Sequence, residues 1–172
     1  MNQTQSLPDW LTDPVTNTID VVNEATIPTA LIPWVYLANS MTQQITDHFG
    51  QQPAVAVHFS GLTKTRDWET SLLNLRQDKP TGYARHISLA INHRPVLAAR
   101  SITRNGNTIE PLLAGLNTTP LARLLFENPL WLRKGPTLPL IDKCGNIGRA
   151  STWHAKDSSE CLIVEEFFLF QP

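Results

Sequence analysis

Apolar and polar residues alternate through much of the second half of the chain, and that alternation marks strands. Cys161 to Phe170 (CLIVEEFFLF) is the clearest case. In an extended strand successive side chains point to opposite faces. Cys161, Ile163, Glu165, Phe167 and Leu169 therefore share one face, and Leu162, Val164, Glu166, Phe168 and Phe170 share the other. Both faces are otherwise apolar. An unpaired carboxylate there would cost roughly several kcal/mol or lose its charge through a raised pKa. The strand needs a cationic partner or a use for its glutamates.

The same patterning predicts the other elements. Ile27 to Leu37 (IPTALIPWVYL) reads as a short helix docking through Leu31, Trp34 and Leu37, with Pro33 in its first turn. Asn39 to Thr42 offers a cap for a second helix, Thr42 to Phe49, ended by Gly50. Strands are expected at Ala54–Phe59, Tyr83–Ile91, Val96–Thr103 and Arg149–Ala155, with a hairpin turn at Asn92–Pro95 and a turn at Gly145–Gly148. Thr119 and Pro120 start a helix running to about Phe126. The polar stretch 60–81 reads as a long connection or a mobile flap. Residues 1–26, polar, acidic and broken by Pro8 and Pro14, read as an extension, loosely held or draped over a domain spanning 27–172. Hairpins with two or three helices indicate the α+β class with an antiparallel sheet.

Composition narrows the function classes. A chain of 172 residues can bury a sizeable core in one domain. Its net charge of −1, with basic residues scattered rather than clustered with aromatics, gives no reason to expect nucleic acid as a partner. Lys and Arg are absent before Lys64 while Asp9, Asp13, Asp20, Glu24 and Asp47 are present, which argues against an Arg-rich presequence. No apolar run approaches the roughly 20 residues of a membrane span. Cys144 and Cys161 read as reduced thiols of a cytoplasmic protein. The five histidines lack metal-ligand spacing, Gly145–Gly148 lacks the basic residue of a phosphate loop, and neither Ser60 nor Ser151 has an identifiable His–acid partner. Trp131 and Trp153 could stack on a ring, though aromatic core filling is the commoner role.

The candidate chemistry lies in the hairpin. Tyr83, Arg85, Ile87, Leu89 and Ile91 share a face, which puts Arg85 on the apolar side. A loop of two or four residues centred between His93 and Arg94 would pair Ile91 with Val96, Leu89 with Ala98, Ile87 with Arg100 and Arg85 with Ile102, setting Arg100 on the same face as Arg85. Pro95, which lacks a donor N–H, favours four residues. Two guanidiniums there need an anion between them. Glu166 could be that anion in an internal Arg–Glu–Arg network. A bound dicarboxylate, with Glu166 nearby, could be it instead.

Five segments, in order, resemble the chorismate lyases (chorismate pyruvate-lyases). They are Trp34 through Thr42, Tyr83–His86 with Pro95–Ser101, the helix Leu116–Phe126 (LNTTPLARLLF), Ile147–Ser151, and Val164–Leu169. The resemblance covers roughly residue 27 to the end, with 60–81 poorly matched. It implies a single antiparallel sheet of about six strands with helices packed on one side. It also implies a lyase converting chorismate to 4-hydroxybenzoate and pyruvate, the first committed step of ubiquinone biosynthesis, in a cytoplasmic monomer with neither metal nor organic cofactor. The family's ligand-binding arginine falls on Arg85, its catalytic glutamate on Glu166, and a second arginine near the site on Arg100. Backbone groups at Met41 and Leu121 would meet the ring carboxylate. The expected division of labour has Arg85 on the ring carboxylate, Arg100 helping with the enolpyruvyl carboxylate and Glu166 beside the ring hydroxyl. Glu165 stands where the family carries a neutral residue and is expected on the solvent or helix-covered side. The alternative is a non-catalytic small-acid effector-binding domain of the same fold. Such a domain follows a DNA-binding helix-turn-helix, and residues 1–26 look too short and acidic for one.

Overall fold

A computed structural model describes residues 6–13, 19–78 and 80–172. Seven strands form one sheet: β1 (Ile19–Val21), β2 (Ala54–Lys64), β3 (Thr81–Ile91), β4 (Arg94–Arg104), β5 (Trp131–Asp142), β6 (Ile147–Ala155) and β7 (Cys161–Phe168). Their order across the sheet is β1-β5-β6-β7-β4-β3-β2, and every neighbouring pair is antiparallel. The α helices are α1 (Ile32–Val35), α2 (Met41–Phe49), α3 (Asp67–Leu72), α4 (Ile109–Gly115) and α5 (Leu121–Phe126). Class and antiparallel pairing match the sequence reading, and the strand count is seven rather than about six.

Each face of the sheet buries a separate set of residues. On the front, Trp34, Val35, Met41 and Ile45 from α1 and α2 pack with Ile87, Leu89, Leu97 and Phe168. Beside them Leu113 of α4 and Leu121 and Leu125 of α5 cover Trp153, Leu162 and Val164. On the back, Trp10, Leu11 and Leu73 cover Ala98, Ile102, Ile163 and Phe167. The expectation of helices on one side alone is thus corrected: α3 and the 3₁₀ turn Asp9–Leu11 close the second face. Two apolar side chains in an acidic stretch explain this. Trp10 and Leu11 are buried, and β1 pairs with β5 along the outer edge.

The polar stretch 60–81 is not a flap. β2 continues through Gly61 to Lys64, and α3 follows, its entry closed by Glu69 accepting from the Arg66 backbone N–H at 2.8 Å. β5 was hidden from the pattern by Gly135, Pro136 and Pro139. Gly135 adopts φ +78°, and the β5–β6 pairing is interrupted between Lys134 and Leu138, which accommodates Pro136. Pro139 stays in register opposite Arg149, and its carbonyl accepts from the Val22 N–H at 2.9 Å.

The β3–β4 hairpin decides the site. Asn92 and His93 both take positive φ, 49° and 64°, giving a two-residue turn that pairs Ile91 with Arg94 and Ala90 with Pro95. The register then shifts, leaving Val96 as an extra residue, and Leu89 pairs with Leu97, Ile87 with Ala99 and His86 with Arg100. One residue of slip sends a side chain to the opposite face. The expected pairing of Ile87 with Arg100 is therefore overturned: Arg85 is on the front and Arg100 on the back.

Gly148, opposite Phe167 in β7, is fixed by space. A Cβ there would lie 2.5 Å from the Glu166 carbonyl oxygen and 2.6 Å from Phe167 Cδ1. Gly148→Ala should destabilise the fold by about 2 kcal/mol, since overpacking forces the strands apart. A urea unfolding midpoint unchanged from the parent protein would contradict this.

Candidate functional site

Between the front of the sheet and helices α2 and α5 lies a cavity of about 540 Å³, part of it open to solvent. Ile87, Leu89, Leu97 and Ala99 supply an apolar floor, and Met41, Leu121, Leu125 and Phe126 roof it. Its polar side is built by β6 and β7, whose short connection pairs Arg149 with Glu166 and Ser151 with Val164. Alternation then brings Arg149, Ser151, Trp153 and Glu166 to the cavity. Glu166 Oε2 accepts from Arg149 Nε at 2.7 Å, and Arg149 Nη1 donates to the Leu37 carbonyl at 2.6 Å.

Arg85 stands next to the wall of this cavity without lining it. Its partner across the strands is Ser101, which lines the wall, and so does Ile87, its next neighbour on the same face. Arg85 is 2% exposed. Its Nη2 donates to the carbonyls of Asn117 (2.7 Å) and Thr119 (3.0 Å), in the turn leading into α5. Nε and Nη1 are buried with no hydrogen-bond partner among the described residues. Burial pushes the pKa of this guanidinium down. Unsatisfied donors on a buried cation are expensive. A planar anion within reach would satisfy both at once.

Met41 and Leu121, expected to meet the ligand through their backbones, are the first residues of α2 and α5 and both line the cavity. Amide N–H groups in a first turn lack partners within the helix. Three of the five expected residues, Met41, Leu121 and Glu166, line one space, and Arg85 is buried next to its wall.

Arg100 does not join them. On the back it donates from Nε and Nη2 to the two oxygens of Glu69, at 2.8 and 3.0 Å, in a bidentate pair. Glu165 lies there too, on the helix-covered one of the two sides expected for it, with both oxygens within 3.0 Å of Arg66 Nη1 and one 3.7 Å from Arg100 Nε. Burial alone would raise Glu69's pKa, but Arg100, the Glu165 hydrogen bond and Arg66 bring it down to about 2. Glu165, wholly buried, is pushed well above the ordinary carboxylate range by burial and by Glu69, against the pull of Arg66 and Arg100. The role foreseen for Arg100 at a second substrate carboxylate is not available from this face. The signal missed was Glu69, hidden in a segment read as a loop. Arg149 was missed as a site residue although the short β6–β7 connection sets it opposite Glu166.

His86 completes the back network. Its Nδ1 faces the Leu11 carbonyl at 3.2 Å, and Nε2 lies 2.9 Å from Arg100 Nη1. A carbonyl only accepts and a guanidinium only donates, so the ring is neutral with its hydrogen on Nδ1. Burial first, then the charges of Arg100 and Arg66, hold its pKa down to about 3 from 6.5.

Among the described residues no group of three or more His, Cys, Asp or Glu side chains is placed to hold a metal ion, and no helix is long and apolar enough to cross a membrane. No family model matches the chain, and no curated protein matches it. Solved structures do. One is described as a possible transcriptional regulator, YydK, from Bacillus subtilis: 11% identical, TM-score 0.46, covering 77% of this chain, while this chain covers 63% of that one. Another is the ligand-binding domain of a protein assigned to the GntR family of transcriptional regulators, from Bordetella bronchiseptica: 12% identical, TM-score 0.44, with 68% of this chain and 82% of that chain covered. Overlap at this level leaves the activity to be argued from the residues themselves.

The lowered His86 pKa sets a pH dependence. An unfolded chain protonates His86 below about 6.5, whereas the folded one keeps it neutral down to about 3. Its contribution to stability is therefore complete above about pH 6.5 and fades as pH falls toward 3, by about 1.4 kcal/mol per pH unit. Urea unfolding of the parent protein and His86→Asn should show their stability difference shrinking by about 2 kcal/mol between about pH 7 and about pH 5. A pH-independent difference would refute it.

Proposed function

We propose that this chain is a chorismate pyruvate-lyase, releasing 4-hydroxybenzoate and pyruvate. The observation that carries this is Arg85, a buried guanidinium with two unpaired nitrogens beside an apolar cavity whose other side bears Glu166. The five-segment resemblance supports it: three of its mapped residues, Met41, Leu121 and Glu166, line that space, and Arg85 is buried next to its wall. Arg85 pairs with the ring carboxylate, assisted by the amides that open α2 and α5. The apolar floor suits a flat carbocycle and excludes water.

In the reaction the C4 hydrogen leaves as a proton and the C3–O bond breaks. The ring becomes aromatic, and the departing enolate takes one proton at its methylene carbon to become pyruvate. Aromatisation supplies most of the drive, so the protein chiefly orients and desolvates. Glu166, held by Arg149, meets the ligand as an acceptor beside the ring hydroxyl and the C4 proton.

The rival reading, a small-acid effector-binding domain, draws on the same ion pair: a carboxylate engaged by Arg149 can orient a hydroxyl and do nothing more. A coupled assay for pyruvate released from chorismate separates the two. Turnover is expected, falling about 100-fold or more in Glu166→Gln with 4-hydroxybenzoate affinity nearly kept. Binding of the acid with no pyruvate released would establish the rival. Arg85→Ala should abolish titratable binding of 4-hydroxybenzoate, and an unaltered titration would remove Arg85 from the site.

A further inference from the structure

With Arg100 committed to the back face, the charges around the cavity do not balance. Arg85 stands at the β3 side. At the β6 side Arg149 lines the wall, and Arg133 of β5 lies beside it, its Cζ 5.9 Å from the centroid of the Trp153 ring. Arg133 Nη1 donates at 3.0 Å to the Leu37 carbonyl, the same oxygen that Arg149 Nη1 reaches at 2.6 Å. Two guanidiniums thus converge on one neutral acceptor. Glu166 is the one carboxylate they share, bonded to Arg149. Burial and the Arg149 charge both lower the Arg133 pKa, with Glu166 pulling the other way. Three guanidiniums and a single carboxylate leave two positive charges around an apolar space.

The two ends are well separated. Arg149 and Arg85 sit on strands three steps apart in the sheet, roughly 14 Å at the backbone. Arg149 Nη2 has no hydrogen bond among the described residues, its Nε and Nη1 being taken by Glu166 and Leu37. One donor at this end is therefore free, next to a second cation half-buried against Trp153.

We infer that Arg133 and Arg149 form a second carboxylate subsite, opposite Arg85, that takes the enolpyruvyl carboxylate of the substrate and has no ligand charge to hold once the monoacid product remains. The inference rests on the lyase reading for the identity of the dianion, while the charge arrangement stands without it. It makes the cavity selective for acids carrying two carboxylates, with Arg149 meeting the ligand through Nη2 and Arg133 supplying charge from behind Trp153. After the reaction one of the two anchors has nothing to grip, and the product is held at the Arg85 end alone.

Titration calorimetry with two probes tests this: 4-hydroxybenzoate, the monoacid, and 3-(carboxymethoxy)benzoate, a stable aromatic diacid with its second carboxylate near the enolpyruvyl position. Arg133→Gln should weaken the diacid by about tenfold or more while changing the monoacid by less than about threefold. KM for chorismate should rise in step with the diacid Kd. Arg133→Lys should recover part of the loss, because the charge returns without the fork. Equal weakening of both acids would show that Arg133 only clasps the loop before Met41, and would overturn the subsite. So would an undiminished diacid affinity, or a parent protein that binds the monoacid and not the diacid. A parent protein that binds neither acid would instead remove the reading of the cavity as a carboxylate site. Should Arg133→Gln fail to fold, added sodium chloride must weaken the parent protein's diacid binding more steeply than its monoacid binding. Equal salt slopes would overturn the subsite.

Discussion

Period-two alternation makes every strand residue choose a face, and the extra residue at Val96 makes that choice for β4. Without it Arg85 and Arg100 would stand side by side on the front, two buried cations competing for one glutamate. With it, each arginine enters a different chemistry. Arg100 is saturated by Glu69, His86 and the Lys64 carbonyl. Arg85 keeps two nitrogens unspent. Everything proposed about ligand binding follows from that inequality, since a cation already satisfied by protein has little to offer a guest.

The adjacent glutamates of β7 repeat the contrast. Glu165 enters a sealed network of two arginines and another carboxylate, with no exposure at all. Its value lies in joining α3 to the centre of the sheet. Ion pairs this deep recover their desolvation cost only when their donors are engaged. Here each Arg100 nitrogen is bonded, while Arg66 Nε stays buried without a partner among the described residues. Glu166, one residue on, faces the cavity with a single arginine partner and 13% of its side chain exposed. Pleating alone turns two identical side chains, one peptide apart, into a structural tie and a reactive candidate.

Local patterning made much of this legible. α2, α5, the hairpin strands and β7 follow from periodicity and caps, and the faces of β7 were assigned correctly from alternation. Three of the five anticipated site residues line one cavity, with Arg85 buried beside it. The failures share a cause, which is that long-range pairing overrode local signals. Pro95 argued for a wide loop, yet Asn92 and His93 accept positive φ and allow a tighter turn plus a bulge. Glu69 looked solvated in a polar segment, and its burial is explained by Arg100, 31 residues away, together with Arg66 at 2.7 Å. Trp10 and Leu11 were two apolar residues in an acidic stretch, too few to register as an element, although they seal the back of the sheet.

The outer rim of β2 has a consequence for how these molecules behave together. Eleven residues of strand with one unpaired side would ordinarily invite a neighbour to zip on. The pairing of β2 with β3 slips between Val57 and Phe59, however, leaving His58 unmatched in the ladder, its ring bonded to Ser88 at 2.8 Å. That kink breaks the edge into two short, misaligned pieces, while the opposite rim ends in the three residues of β1. The broken β2 border offers no straight template for another chain, so the irregularity guards against fibre growth.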